Sequence, residues 1–158
     1  MKKTESEIFE EITQRLNKIN GKLKLLNLLT EAKLEYDKNN WQGCQKACEE
    51  VLLQHPDNPA ALRGLGCVFQ SLGDYDKALS YYNKALENSL KKEIEYTLIG
   101  SIYYIQEDFD SAINYYNKAI ETNDNYDKAY DGKNQSLLEQ HLKILDLQDS
   151  LIEKNMFK

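Results

Sequence analysis

Proline, glycine, arginine, cysteine and histidine are all scarce in this 158-residue chain. Two prolines and seven glycines leave long stretches free to form helices. Two arginines and a net charge of −6 disfavour nucleic acid as a partner, because a polyanion is bound by clustered Lys and Arg. Three cysteines form an odd set without framework spacing, which favours a reducing compartment over a disulfide scaffold.

Long apolar runs are also missing. The richest, Leu23–Leu29, is interrupted by Lys24 and Asn27 and falls far short of the ~20 residues that span a bilayer. The first eleven residues carry four carboxylates and no short apolar core, which does not fit a secretory signal. We therefore expect a cytoplasmic protein without a membrane segment.

A segment that occurs twice in the chain, with few differences, is its most informative feature. Tyr75–Glu87 reads YDKALSYYNKALE, and Phe109–Glu121, 34 residues later, reads FDSAINYYNKAIE. A further step of 34 residues towards the N-terminus reaches Trp41, again an aromatic residue after a polar turn. A fixed period of this length indicates a solenoid, in which each unit buries its apolar face against its neighbours.

Helix signals divide each unit into two helices. A Thr4-x-x-Glu7 capping box begins a first helix, and Asn20-Gly21 is predicted to end it. The pairs that follow are predicted at 22–38 with 41–54, 59–72 with 75–88, and 93–106 with 109–122, before a last helix at 127–154. We predict one domain over 1–158, made of an N-terminal helix (1–21), three repeats (22–58, 59–92 and 93–126) and a C-terminal helix (127–158).

Apolar stripes mark both terminal helices. Ile8, Ile12, Leu16 and Ile19 recur along one face of the first, and we predict that this face covers the open end of the solenoid. Pairing of that face with another chain is the alternative. In the last helix apolar residues recur every seven positions, which predicts a cap on the third repeat and surplus apolar surface at the far end.

Small and aromatic residues recur in phase with the period, and they carry a family resemblance. The second unit has Gly66, Phe69, Gly73-Asp74-Tyr75, Ala78, Tyr82 and Ala85, and the third has Gly100, Tyr103, Phe109, Ala112, Tyr116 and Ala119. These units resemble tetratricopeptide repeats, and residues from about 25 to 126 share the pattern, more loosely in the first unit. The resemblance implies an all-α fold: a right-handed superhelical α-solenoid of three helix pairs, with an extra N-terminal helix and a long C-terminal capping helix.

Catalytic and metal sites are not indicated. His55 and His141 lie far apart and near no nucleophile motif, and no strand followed by a Gly-rich phosphate loop is present in the sequence. Cys44 and Cys48 share a helix face, but they fall on packing positions of the repeat and lack zinc-ligand spacing. We predict a protein that is not an enzyme and that requires no cofactor or metal.

The resemblance implies a function in binding proteins. Such arrays hold an extended peptide or a helix in a concave groove lined by the first helix of each pair, so we predict a protein-binding adaptor. The groove positions predicted here are Lys33, Tyr36, Arg63, Cys67, Gln70, Thr97, Ser101 and Tyr104, which suit a peptide carrying a carboxylate and an apolar anchor. A clamp for chaperone tails is disfavoured, because Leu29, Lys33, Gly64, Ile94 and Leu98 do not match its residues. The alternative function is a self-associating module that forms homo-oligomers through its terminal helices.

Overall fold

Seven helices form the part of the chain that the computed structural model describes, residues 3–156. They are α1 (Glu5–Asp37), α2 (Trp41–Gln54), α3 (Pro59–Ser71), α4 (Tyr75–Asn88), α5 (Lys92–Ile105), α6 (Phe109–Thr122) and α7 (Asp127–Met156). No strand occurs in this range, which confirms the all-α prediction. Residues 1, 2, 157 and 158 of the predicted domain lie outside the described residues.

Each turn inside a helix pair is built from the same two backbone devices. Two residues after its last helical residue, the first helix of each pair is followed by a residue with a left-handed backbone: Asn39 (φ 58°), Gly73 (φ 78°) and Glu107 (φ 61°). The next residue caps the second helix, since the side chains of Asn40, Asp74 and Asp108 accept a hydrogen bond from the backbone N–H three residues later. These turns recur with the 34-residue period, and they return the chain antiparallel to itself.

Close approach of the two helices in a pair requires glycine. A Cβ at Gly66 in α3 would overlap the Tyr82 ring of α4, and a Cβ at Gly100 in α5 would lie 3.0 Å from Cε1 of Tyr116 in α6. Tyr82 is completely buried and Tyr116 nearly so. Both helical glycines therefore have a steric reason for recurring at this position of the repeat.

The predicted end of the first helix at Asn20-Gly21 is wrong. The capping box at Thr4 forms as predicted, but α1 runs without a break through Gly21 and Lys22 to Asp37. Glycine inside a helix costs only about 1 kcal/mol relative to alanine, and good helix formers on both sides outweigh that cost. The predicted N-terminal helix and the first helix of repeat 1 are therefore one helix.

The N-terminal apolar stripe does not cover the open end of the solenoid, contrary to the prediction. Ile8, Ile12, Leu16 and Ile19 are about half exposed, because the first turns of α1 extend past α2 and α3. At the opposite end α7 packs against α5 and α6, with Ala129 and Ser136 buried. The second half of α7 is exposed, so the predicted cap and the surplus apolar surface are both present.

Candidate functional site

One face of the array presents side chains from α1, α3 and α5, the first helices of the three pairs. Their side chains meet in succession across the repeats. The Tyr36 hydroxyl of α1 lies 3.1 Å from Ser71 Oγ of α3, and the Gln70 amide of α3 donates to Ser101 Oγ of α5 at 3.3 Å. These bonds join the first helices of successive pairs.

A pocket of about 510 Å³ lies on this face between α1 and α3. Lys33 and Tyr36 from α1 line it together with Arg63 and Cys67 from α3. Its apolar lining comes from Leu29, Ala32, Cys44, Cys48, Ala60 and Gly64, and its charged rim also includes Asp37 and Lys128. Four of the eight predicted binding residues thus surround one pocket.

Arg63 is held in this pocket by a buried carboxylate. Its Nε donates to Oε1 of Glu95 at 2.8 Å, and Glu95 in α5 is completely buried. Oε2 of Glu95 has no hydrogen-bond partner among the described residues, which makes the carboxylate dependent on Arg63 for its neutralisation. Within residues 3–156 no hydrogen bond joins the terminal guanidinium nitrogens to an acceptor, so they remain available for a ligand.

Gln70 and Ser101 serve a structural network instead of lining the pocket. The Tyr82 hydroxyl donates to the Gln70 amide oxygen at 2.7 Å, and Ser101 Oγ donates to the Leu98 carbonyl oxygen at 2.7 Å. Together with the bond between Gln70 and Ser101, this network joins α4, α3 and α5. Substituting Gln70 would therefore disturb packing between repeats as well as any ligand contact.

Thr97 and Tyr104 also lie outside the pocket. The Thr97 hydroxyl donates to the Glu93 carbonyl oxygen one turn earlier in α5, at 2.8 Å. The Tyr104 ring packs against Phe109 at a centroid distance of 5.8 Å, beside the turn that joins the two helices of the third pair. Of the eight predicted residues, four surround the pocket and the other four are arranged further along α3 and α5.

Lys128 is a pocket residue that the sequence analysis missed. It lies in the first turn of α7, a helix predicted from the sequence to cap the third repeat and to carry surplus apolar surface. The 34-residue period indicates this position. Ala60, Ile94 and Lys128 are spaced by 34 residues, and Ala60 also lines the pocket. The first turns of α7 thus occupy the place of the first helix in a fourth unit.

The cysteines lie in or beside the core of the first two repeats. Cys44 and Cys48 are almost completely buried, and burial raises the pKa of the Cys48 thiol to about 12. Burial also raises the pKa of Cys67, whose sulfur lies 3.4 Å from the Tyr82 hydroxyl. No group of three or more possible metal ligands occurs among residues 3–156. Protonated thiols are poor nucleophiles and poor ligands at neutral pH.

No helix in the described range is both long enough and apolar enough to cross a bilayer. A family model described as tetratricopeptide repeat matches residues 25–91, and a second with the same description matches residues 94–126. Together they match more than half of the chain. No curated protein matches the chain by sequence.

Three solved structures with a similar fold are distant from this chain in sequence. A mutant O-GlcNAc transferase of Thermobaculum terrenum is 23% identical, with a TM-score of 0.67, over 73% of this chain and 22% of the transferase chain. The yeast Sti1 TPR2B domain in complex with pHsp70 is 15% identical over 74% of this chain and 98% of that chain, with a TM-score of 0.66. The first TPR of Spaghetti (RPAP3), bound to an HSP90 peptide, is 15% identical over 75% and 94%, with a TM-score of 0.66. The chain therefore spans about a fifth of the transferase chain and nearly all of the two peptide-bound domains.

Proposed function

Because the chain belongs to the tetratricopeptide repeat family, we propose that it is a non-catalytic adaptor that holds an extended segment of a partner protein on its concave face. The observation that carries the proposal is the pocket between α1 and α3, where cationic side chains surround an apolar floor. Two similar structures, of yeast Sti1 and of Spaghetti, contain a bound chaperone or chaperone peptide, which supports peptide binding on this fold.

The charges around the pocket favour an acidic segment. Lys33, Arg63 and Lys128 bring three positive charges, whereas Asp37 and Glu95 bring two negative ones. Glu95 is buried behind Arg63, and Asp37 accepts a hydrogen bond from Lys33 at 3.1 Å in an exposed pair that contributes little. A carboxylate of the ligand would meet the free guanidinium nitrogens of Arg63 and the ammonium group of Lys128.

The floor of the pocket favours an apolar anchor beside that carboxylate. Leu29 and Tyr36 from α1 and Cys67 from α3 present apolar surface to the same space. An aliphatic or aromatic side chain buried there would contribute about 1.5–3 kcal/mol to binding before the cost of ordering the peptide. The ligand class is thus a segment with an acidic residue close to an apolar one.

The thiols support the non-catalytic part of the proposal. A cysteine nucleophile acts as the thiolate, which a depressed pKa favours at neutral pH. Burial raises the pKa of all three cysteines. His55 and His141 are both exposed and lie on different elements, so neither is placed to serve as a base for these thiols.

Binding of a peptide panel tests this proposal. Each peptide carries one Asp or Glu and one Leu or Phe at varied spacing, and its matched partner carries Asn or Gln instead of the acid. Fluorescence anisotropy would compare the wild type with Lys33→Glu/Lys128→Glu and with Lys46→Glu/Lys91→Glu. The second variant makes the same change in net charge at exposed lysines outside the pocket.

We expect the best acidic peptide to lose at least about tenfold in affinity with the pocket variant and to bind the control variant like the wild type. Raising the salt concentration should weaken the wild-type complex, because exposed charges are screened. The proposed site would be contradicted if the pocket variant bound the acidic peptide as tightly as the control variant does. It would also be contradicted if the wild type bound the acidic peptide and its neutral partner equally well.

A further inference from the structure

A continuous apolar seam runs along the part of α1 that projects beyond the repeats. All side chains from residue 12 to residue 24 are exposed. The seam consists of six large side chains that are each 50–73% exposed: Phe9, Ile12, Leu16, Ile19, Leu23 and Leu26. Only the continuous helix brings these residues into one line, because a stop at Gly21 would have divided them.

The spacing of the seam is that of a coiled coil. Its residues are separated by three, four, three, four and three positions, so Phe9, Leu16 and Leu23 occupy a positions and Ile12, Ile19 and Leu26 occupy d positions. Over this length α1 extends for about 26 Å. Thr30 and Lys33, at the next a and d positions, end the apolar series, and Lys33 is one of the residues that line the pocket.

The seam and the repeat core use opposite faces of α1. Leu25, Leu28 and Leu29 pack against the core of the first repeat, whereas Leu23 and Leu26 are more than half exposed. A partner on the seam would therefore leave the core of the first repeat undisturbed. The projecting turns also contain Asn20 and Gly21, two poor helix formers, so the helix gains most from quaternary packing at this point.

The charges beside the seam determine which orientation two copies can adopt. Arg15 and Lys22 occupy g positions, and Thr13, Asn20 and Asn27 occupy e positions. In a parallel pair each g residue faces an e residue of the other copy, so Arg15 meets Asn20 and Lys22 meets Asn27. In an antiparallel pair g faces g, which sets Arg15 against Lys22 twice. Repulsion thus disfavours the antiparallel arrangement.

We propose that this chain self-associates through α1, as a parallel coiled coil formed by residues Phe9–Leu26 of each copy. The occupant of the seam is a further copy of the same chain. Every a and d position of the seam is apolar, and in the parallel arrangement no flanking residue faces a residue of like charge in the other copy. Leucine at a with isoleucine at d, as at Leu16 and Ile19, favours three or four strands over two.

The apolar face at the far end of α7 is a weaker candidate for the same role. His141 and Gln148 interrupt its apolar series, and Asp149 lies beside it. A charged or polar residue at such a position lowers the stability of a coiled coil.

Self-association through α1 also presents several pockets on one assembly, so a partner with several acidic segments would bind with avidity.

Light scattering at micromolar and at near-millimolar concentration tests the proposal. The wild type is expected to form a trimer or tetramer at the higher concentration, and Ile12→Glu/Ile19→Glu is expected to remain a monomer. Gln14→Glu/Asn17→Glu adds the same charge on the other side of α1 and should associate like the wild type. Thermal unfolding of the repeats should be the same in both variants at low concentration, since the substituted residues make no contact with the core.

A wild type that stays monomeric at near-millimolar concentration would overturn the proposal. So would an oligomer that survives Ile12→Glu/Ile19→Glu and is lost in Leu145→Glu/Ile152→Glu, because the interface would then lie on α7. An oligomer that depends on the α1 seam but contains two strands would support the interface and overturn only the strand number.

Disulfide cross-linking tests the orientation. In the parallel coiled coil, Phe9→Cys places the new thiols of two copies side by side, and oxidation should link them efficiently. In an antiparallel coiled coil Phe9 would lie opposite Leu26, so two such thiols would be about 25 Å apart and would not link. Ser80→Cys, an exposed position on α4, controls for random collision.

Discussion

The closest approach between the helices of the second repeat makes Gly66→Ala an informative substitution. A Cβ at this position would overlap Cε1 and Cδ1 of Tyr82, whose ring is completely buried and whose hydroxyl bonds to Gln70 at 2.7 Å. Overpacking of this kind costs about 1–3 kcal/mol, and weakening the hydroxyl bond adds roughly 0.5–1.5 kcal/mol. The higher helix propensity of alanine offsets about 1 kcal/mol of this loss in stability. We expect a net loss of about 0.5–3.5 kcal/mol in the free energy of unfolding.

Urea denaturation followed by circular dichroism measures this loss, with two other glycines as controls. Gly100→Ala should cost less, because its Cβ would lie 3.0 Å from the nearest ring atom of Tyr116. Gly21→Ala should cause no loss, because nothing lies within 4 Å of its Cβ. In the Gly66→Ala background, Tyr82→Leu should cost less than in the wild type, by roughly 0.5–3 kcal/mol. If Gly66→Ala were as stable as Gly21→Ala, the steric account of the repeat would be wrong.

Two further substitutions and a pH change give additional predictions. Glu107→Gly should raise the free energy of unfolding by about 1 kcal/mol in urea, because Glu107 adopts a positive φ that glycine adopts freely. Its exposed ion pair with Lys143 offsets little of that gain. The pKa of the Cys48 thiol is raised from 9.0 to about 12 in the folded protein, so its contribution to stability is present below pH 9 and decreases as the pH rises towards 12. The urea midpoint should therefore fall less between pH 8.5 and pH 10.5 for Cys48→Ala than for the wild type, whereas an equal fall would contradict the burial of this thiol.

The helix boundaries could be predicted largely because local chemistry determines them. Trp41, Tyr75 and Phe109 each follow an Asn or Asp whose side chain caps the next helix, and these three helices begin where the sequence places them. Pro59 likewise begins α3 after the Asn58 cap. Such signals act between residues close in sequence, and the 34-residue period repeats them in every unit.

Features that depend on distant contacts could not be predicted in the same way. Asn20 and Gly21 have the chemistry of a helix end, but the helix continues because the residues on both sides favour it. Glu95 has the sequence environment of a surface carboxylate, and only tertiary packing buries it, with Arg63 of α3 as its ion-pair partner. Lys128 lines the pocket although it lies more than 60 residues after Arg63 in the chain, so only tertiary structure brings the two side chains to one pocket.

The pocket between α1 and α3 is the proposed site for a partner segment. Amide chemical-shift mapping with the tightest peptide of the acidic panel locates the bound peptide on the fold. We predict that the largest shifts fall on residues around Lys33, Tyr36, Arg63 and Lys128, and that residues of α4 and α6 shift little. Shifts confined to α4 and α6, or to the exposed half of α7, would place binding elsewhere and rule out the proposed pocket.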